Sequence, residues 1–480
     1  MNYKSIVKIL SIIGLSVSVI FLLNVLVALL YGESYKEFLL YDGVFFMLNL
    51  SLWFWLRNLE LNLKIKESIL VVNLLWILLG IAGAIPLFIY SNVSFASAFF
   101  EAISGFTTTG ATVYTDIESL PHMLLFHRSL MHWLGGLGVI VLGVGLLSMI
   151  NPTGSLSLFK AESTGVQLEK LTPKIKDTAL RLWIVYFLLT FVDMLLLKFF
   201  GMGWFDALNH AFSTISTGGF STKNSSMGYF DSDGIIWTTT LFMTLSGINF
   251  LAHLKLYHKD FSGYKSEEVR WYLLIFLALS LALTLVHIDM SGDSFYDAIK
   301  HSSFTIASVM TTTGFATIDY GTWSHLAIAI IFVGILMGGN AGSTAGGIKI
   351  IRHVIIFKTL SSELKRILHP NTIISVFIDG VKQKERILSS TFGFFLLFMI
   401  SVAVVTVYIY ARGYDAMTSI SGAFALVGNI GPGFSLVGPS DNFAIFSDFD
   451  KIFFSVAMII GRLECYTVFV LLSVSFWRKF

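Results

Sequence analysis

Four short strings rich in threonine, serine and glycine carry the chemistry of this sequence: SGFTTTGATV (104–113), STISTGGFST (213–222), SVMTTTGFAT (308–317) and LVGNIGPGFS (426–435). Their central glycines are Gly110, Gly218, Gly314 and Gly431, preceded by Thr108 and Thr109, Ser216 and Thr217, Thr312 and Thr313, and Asn429 and Ile430. Glycine accepts the left-handed backbone that other residues resist, so it lets carbonyls turn to one side and backbones approach closely. A ring of such carbonyls replaces the water shell of a monovalent cation. Threonine hydroxyls can line or cap the same path. Any one of these glycines could equally serve helix packing or a turn, but four matching strings favour a shared ring.

The strings need elements to hold them. Each follows a moderately apolar segment such as Phe95 to Phe106 or Phe205 to Ile215. A bilayer crossing takes about 20 residues, so these segments enter a membrane and turn back. Irregular backbone at that depth survives only where protein or a watery cavity surrounds it, which places the strings on a common axis. The chain otherwise predicts ten spans: Ile6 to Tyr31, then segments centred on 38–56, 68–90, 124–150, 178–200, 234–256, 271–288, 324–360, 387–411 and 449–476. The first lies behind Lys4 and Lys8 and is too long for a signal peptide without a cleavage site, so it is expected to be retained.

Composition agrees. Of 480 residues 55% are hydrophobic and 13% charged, with mean hydropathy +0.77, against about 25% charged in a soluble domain. That excludes a soluble enzyme. Cys465 is the single cysteine, leaving no internal disulfide and no thiolate cluster. With an inner N-terminus, only Lys36, Lys198, Lys223, Lys300, Arg412 and Lys451 of the 32 lysines and arginines fall in outer connections, and Arg128 and Arg462 lie within spans. The rest sit on the inner side, which orients both termini to the cytoplasm. The net charge of +2 gives no sign of nucleic-acid binding.

Two features lie inside spans. The stretch 338–347 holds Gly338, Gly339, Gly342, Gly346 and Gly347, with Asn340, Ser343 and Thr344 between them, and should unwind its helix. Close packing of small residues on a neighbour is the other reading. Arg462 stands about 13 residues from each end of its span, about 20 Å from water. It must face a cavity or a partner. Glu464, two residues on, would point to another face of a continuous helix. Asp206, Asp297 and Asp415 open the short segments as candidate caps. Glu101 could bond the backbone of a neighbouring string, while Arg128, His127 and His132 read as interface anchors.

The strings and the segment GGNAGSTAGGIKIIR (338–352) resemble the Trk/Ktr/HKT superfamily of potassium transporters, and the two extra helices before residue 60 resemble its TrkH subunit type. The resemblance implies an all-α membrane protein of four units of span, pore helix, filter and span around a central pore. The expected division is an N-terminal helix pair (1–66) and pore repeats at 67–155, 172–257, 268–366 and 386–480, the third with a broken inner helix. It further implies potassium uptake, K⁺ held by backbone carbonyls of the strings, and a homodimer in membrane lipid. The segment 338–347 would be a gate under the filter with Arg462 projecting beside it, and glycine rather than serine at 110 goes with potassium preference. No cofactor is expected in the chain, and control would come from a cytoplasmic nucleotide-binding subunit of TrkA type. The basic inner loops 160–181 and 349–386 are candidate docking surfaces, although topology alone would also make them basic.

A sodium- or proton-coupled carrier of another solute is the rival, but such carriers usually have inverted repeats, and these units share one orientation. The sequence contains no HExxH, GxSxG or GxGxxG in a nucleotide-binding context, so neither an enzyme nor an internal nucleotide site is expected.

Overall fold

In lipid every backbone polar group must pair within the chain, so apolar runs of this length become helices. The computed structural model describes residues 1–61, 63–141, 175–370 and 375–478. Helices α1 (Tyr3–Tyr31) and α2 (Lys36–Trp55) form an antiparallel N-terminal pair, and α1 also packs on α3 and α5 of the first unit. That unit comprises α3 (Ile65–Tyr90), α4 (Phe95–Phe106) and α5 (His122–Val141). The second comprises α6 (Ile175–Phe199), α7 (Trp204–Ile215), α8 (Asp233–Ser246) and α9 (Phe250–Tyr257). The third comprises α10 (Glu267–Ser291), α11 (Phe295–Met310), α12 (His325–Leu336) and α13 (Ile350–Leu368). The fourth comprises α14 (Glu385–Ala411), α15 (Ala416–Val427), α16 (Asp448–Arg462) and α17 (Tyr466–Phe469).

Each short helix (α4, α7, α11, α15) packs against the long helix that precedes it. Each also packs against the inner helix of the previous unit: α7 on α5, α11 on α8, α15 on α12, and α4 back on α16. The last contact closes a ring of four. Outside it, Leu274, Leu277, Leu281 and Leu285 of α10 are exposed as a stripe at helical spacing, the surface a bilayer would cover.

The glycine run unwinds as its composition predicts, since α12 ends at Leu336 and α13 begins at Ile350. Two other inner spans, expected to be continuous over 234–256 and 449–476, are also broken. Helices α8 and α9 meet at 99°, because Asn249 starts a new helix by accepting from Leu251 N at 2.8 Å. At the end of α16 the chain bends by 112° through Glu464 (φ 58) and Cys465 (φ 49), and Cys465 N donates back to Ile460 O at 3.0 Å. Arg462 is therefore the last residue of a helix and not the midpoint of one. The segment predicted over 124–150 is described as far as Val141, and most of the basic loop 160–181 lies outside the described residues. A hairpin pairing Phe377–Ile378 with Val381–Lys382 turns on Asp379 and Gly380, both at positive φ, and no strand was expected there. The Asp-Gly pair is its sequence signal.

Candidate functional site

All four short helices end alike. Thr108 N bonds Gly105 O (3.1 Å) and Thr109 N bonds Ser104 O (2.9 Å), the paired bonds of a Schellman cap. The same two bonds recur from Thr217 and Gly218 (3.1 and 2.8 Å), Thr312 and Thr313 (3.2 and 2.8 Å), and Asn429 and Ile430 (3.3 and 2.9 Å). The residue opening each string is left-handed: Thr108 (φ 53), Thr217 (φ 55), Thr312 (φ 59) and Asn429 (φ 55). Asparagine adopts that region readily, whereas a β-branched threonine is held there at a cost of order 1–3 kcal/mol. Two residues later comes a left-handed glycine: Gly110 (φ 81), Gly219 (φ 86), Gly314 (φ 82) and Gly431 (φ 93).

This pattern corrects the second string by one residue. Thr217, Gly218 and Gly219 match Thr108, Thr109 and Gly110, in place of Ser216, Thr217 and Gly218. Ser216 belongs to the helix end, its hydroxyl bonded to Phe212 O at 2.6 Å. The shared Gly-Phe step at Gly219–Phe220 and Gly314–Phe315 was the available signal.

The left-handed glycines bring the strings together. A Cβ on Gly110 would collide with the carbonyl of Gly218, one on Gly219 with that of Thr313, one on Gly314 with that of Ile430, and one on Gly431 with that of Thr109. Each string thus presses on the next and the fourth on the first. All four glycines line one cavity of about 140 Å³. Its wall includes Asn224, which donates to Asp116 Oδ1 (2.9 Å) and accepts from Ile117 N (2.6 Å), tying two outer connections together. The amide holds the exposed Asp116 carboxyl below the usual range.

Side chains brace the ring. Thr109 bonds Thr107, and Thr313 bonds Thr311, at 2.7 Å through their hydroxyls. The departure of the fourth string from threonine is explained by Asn429, whose Nδ2 donates to Thr109 Oγ1 and to Met458 O, both at 3.0 Å. Arg128, His127 and His132 are buried and do not anchor an interface. Arg128 Nε donates to Glu101 Oε1 at 2.9 Å, and Glu101 Oε2 accepts from Val113 N at 2.9 Å. Val113 lies in the string of Glu101's own unit and not in a neighbour's. His132 stacks on Phe220 with centroids 4.0 Å apart and fills the space beside Gly218, while His127 bonds Gly83 O at 3.1 Å. Nothing in the spacing of these residues marked them as braces.

Among the candidate caps, Asp415 accepts from Thr418 N at 3.0 Å and caps α15. Asp297 lies one turn inside α11, whose cap is Ser294, and Asp206 accepts from Thr222 Oγ1 at 2.6 Å.

The unwound segment lies against the inner ends of three short helices. Gly346 N donates to Thr312 Oγ1 (2.6 Å), and Thr344 Oγ1 donates to Ile215 O (3.0 Å). A Cβ on Gly346 would stand 2.5 Å from Gly428 O. Asn340 N bonds Gly247 O (2.8 Å), Ser343 Oγ bonds Asn340 O (2.6 Å), and Gly342 O accepts from Phe250 N (3.0 Å), so the break between α8 and α9 supplies its bed. Gly338 N and Gly339 O pair with Ile348 O (2.9 Å) and Ile350 N (3.2 Å), closing the neck, and Gly347 is left-handed at φ 65. Arg462 Nη1 donates to Thr344 O at 3.0 Å, whereas Glu464 pairs with Arg352 at 2.7 Å. Arg352 and the bend that frees Glu464 to reach it were not foreseen.

Four glycine strings close a ring inside a helical bundle with a buried loop beneath, and the class with which this architecture agrees is the cation-transport proteins of the membrane. The TrkH family model, described as a cation transport protein, matches residues 36–479, and the chain belongs to this family. It is 37% identical to the Trk system potassium uptake protein TrkH of Salmonella typhimurium, with 100% of each chain covered. It is 35% identical to TrkG of Escherichia coli over 94% of each. The crystal structure of the potassium transporter TrkH from Vibrio parahaemolyticus superposes with a TM-score of 0.90 at 33% identity, covering 100% of each chain.

Proposed function

We propose that this chain takes up potassium across the bacterial cytoplasmic membrane, with the four strings as its selectivity filter. The observation that carries the proposal is the closed ring of left-handed glycines, each seated on a carbonyl of the next string. K⁺ is held by backbone carbonyls of Thr108, Thr109 and Gly110, Thr217, Gly218 and Gly219, Thr312, Thr313 and Gly314, and Asn429, Ile430 and Gly431. Full-length likeness to potassium uptake proteins supports the choice of ion.

The loop from Gly338 to Gly347 is the gate on this reading. Its contacts with Thr312 and Ile215 put backbone under the strings, and the Arg462 bond to Thr344 O adds a latch and a fixed positive charge. The chain acts as a transporter without resident cofactor. It works as a homodimer with both termini cytoplasmic and is controlled by a nucleotide-binding subunit of TrkA type. The test is rubidium uptake by liposomes holding only this chain, with and without a sodium or proton gradient. Uptake that follows the rubidium gradient alone, with rubidium well ahead of sodium, is expected. Uptake of sodium and rubidium at equal rates would overturn the filter assignment.

A further inference from the structure

Glu101 and Arg128 form an ion pair in which neither side chain is more than 1% exposed, yet no step of ion passage described above uses it. We propose that this pair is a positioning and specificity-determining element of transport: it fixes the outer ends of the first and second strings relative to each other and thereby sets the preference for potassium over sodium. The proposal rests on the filter reading.

Its hydrogen bonds run to those two strings. Glu101 Oε1 accepts from Thr112 Oγ1 (3.0 Å) as well as from Arg128, and Oε2 accepts from Val113 N (2.9 Å). Arg128 Nη1 donates to Ser221 O (3.2 Å) and Nη2 to Thr112 Oγ1 (3.3 Å), and its guanidinium lies 4.1 Å from the Phe220 ring centroid. Thr112 and Val113 follow Gly110, and Phe220 and Ser221 follow Gly219. The carboxylate thus grips one string and the guanidinium reaches across to the next. Only a planar fork serves both partners at once, and bonds to ionised groups are roughly twice as strong as neutral ones.

The device occurs at one corner of the ring. Seven residues before each left-handed opening residue stand Glu101, His210, Thr305 and Gly422. His210 Nε2 reaches Ser221 Oγ at 2.9 Å, which steadies the same corner. The third and fourth strings are held by neutral hydroxyls instead: Ser308 Oγ on Phe315 O (2.6 Å) and Phe434 N on Ser421 Oγ (2.9 Å). A buried ion pair adds little net stability over apolar packing, so stability alone is a weak reason for charges in this place. Arg128 also lines the cavity bounded by the four glycines, where Glu101 offsets its charge toward an entering cation.

The test uses the full chain in liposomes and reads the sodium-to-rubidium flux ratio, which general loss of folded protein leaves unchanged. Glu101→Gln keeps the shape and removes the charge, and Arg128→Lys keeps the charge and removes the fork. Each should raise the ratio about tenfold, the scale of one or two lost hydrogen bonds. Arg412→Gln, which breaks the Arg412–Asp450 pair at the outer end of α14, should leave the ratio unchanged. Gly110→Ser is run beside them. An unchanged ratio in Glu101→Gln and Arg128→Lys with a raised ratio in Gly110→Ser overturns the inference and leaves the filter reading standing. An unchanged ratio in all three overturns the filter reading itself. Failure of both pair variants to reach the membrane also counts against the proposal, since the pair would then be a requirement of folding.

Discussion

On the proposed reading, replacing Arg462 by alanine separates two effects carried by one side chain. The first is the latch, a single charged donor on Thr344 O at 3.0 Å. A hydrogen bond to a charged group contributes about 1.5–3 kcal/mol, so its loss should shift the loop toward the released state by about 10- to 150-fold. The second is the charge itself. A unit charge 6–8 Å from a passing cation opposes it by about 2–3 kcal/mol at an effective dielectric of 20, again one to two decades in rate. Both favour faster flux in Arg462→Ala. Structural collapse is not expected to mask the gain, because Glu464 is engaged with Arg352 and no carboxylate is orphaned by the change. Arg462→Lys divides the effects, since it keeps the charge and loses the guanidinium's reach. The assay is rubidium uptake per molecule of reconstituted protein, with yield measured by size-exclusion chromatography. Flux at or below that of the parent protein, at normal yield, would refute both the latch and the barrier.

Three further outcomes follow from the ring and the loop. Gly110→Ser and Gly219→Ser should both admit sodium, because either Cβ drives into the carbonyl of the next string, and equal rubidium-to-sodium ratios before and after would contradict the register. Gly346→Ala together with Gly347→Ala should raise the open fraction without altering ion preference, since the first meets Gly428 O and the second sits at φ 65. A changed preference with unaltered gating would move the segment into the filter. Thr344→Ala removes one neutral hydroxyl donor shared between Ile215 O (3.0 Å) and Ser246 O (3.3 Å), about 1 kcal/mol, and should raise rubidium flux about fivefold; unchanged flux would show that the hydroxyl does not hold the loop.

The short helices, the strings and the unwound segment were legible because each breaks a strong pattern: an apolar run too short to cross, or a cluster of glycines inside one that is long enough. The second string was misread by one residue because STGG offers two glycines; the Gly-Phe step it shares with the third string favours Gly219, and the alternation of left-handed residues with the carbonyl they press on identifies it. The bends after α8 and α16 were invisible because hydropathy does not register direction. An apolar segment that turns by 99° or 112° has the same composition as one that does not. Asn249 within its run was the one local sign of a new helix start. Arg128 was misplaced for a different reason. Its partner Glu101 lies on another helix, and pairing at that sequence distance is decided by how α4 and α5 cross.

The loop enters the bundle once. Among the described residues only the third unit places a glycine-rich segment under the strings, although all four contribute equally to the ring. On the proposed reading, opening is therefore one displacement per chain and not the concerted dilation of four equivalent helices. A single substitution in the loop then exerts its whole effect and not a quarter of it. In a dimer assembled from parent and variant chains, the two conduction paths should sum in proportion to their dose.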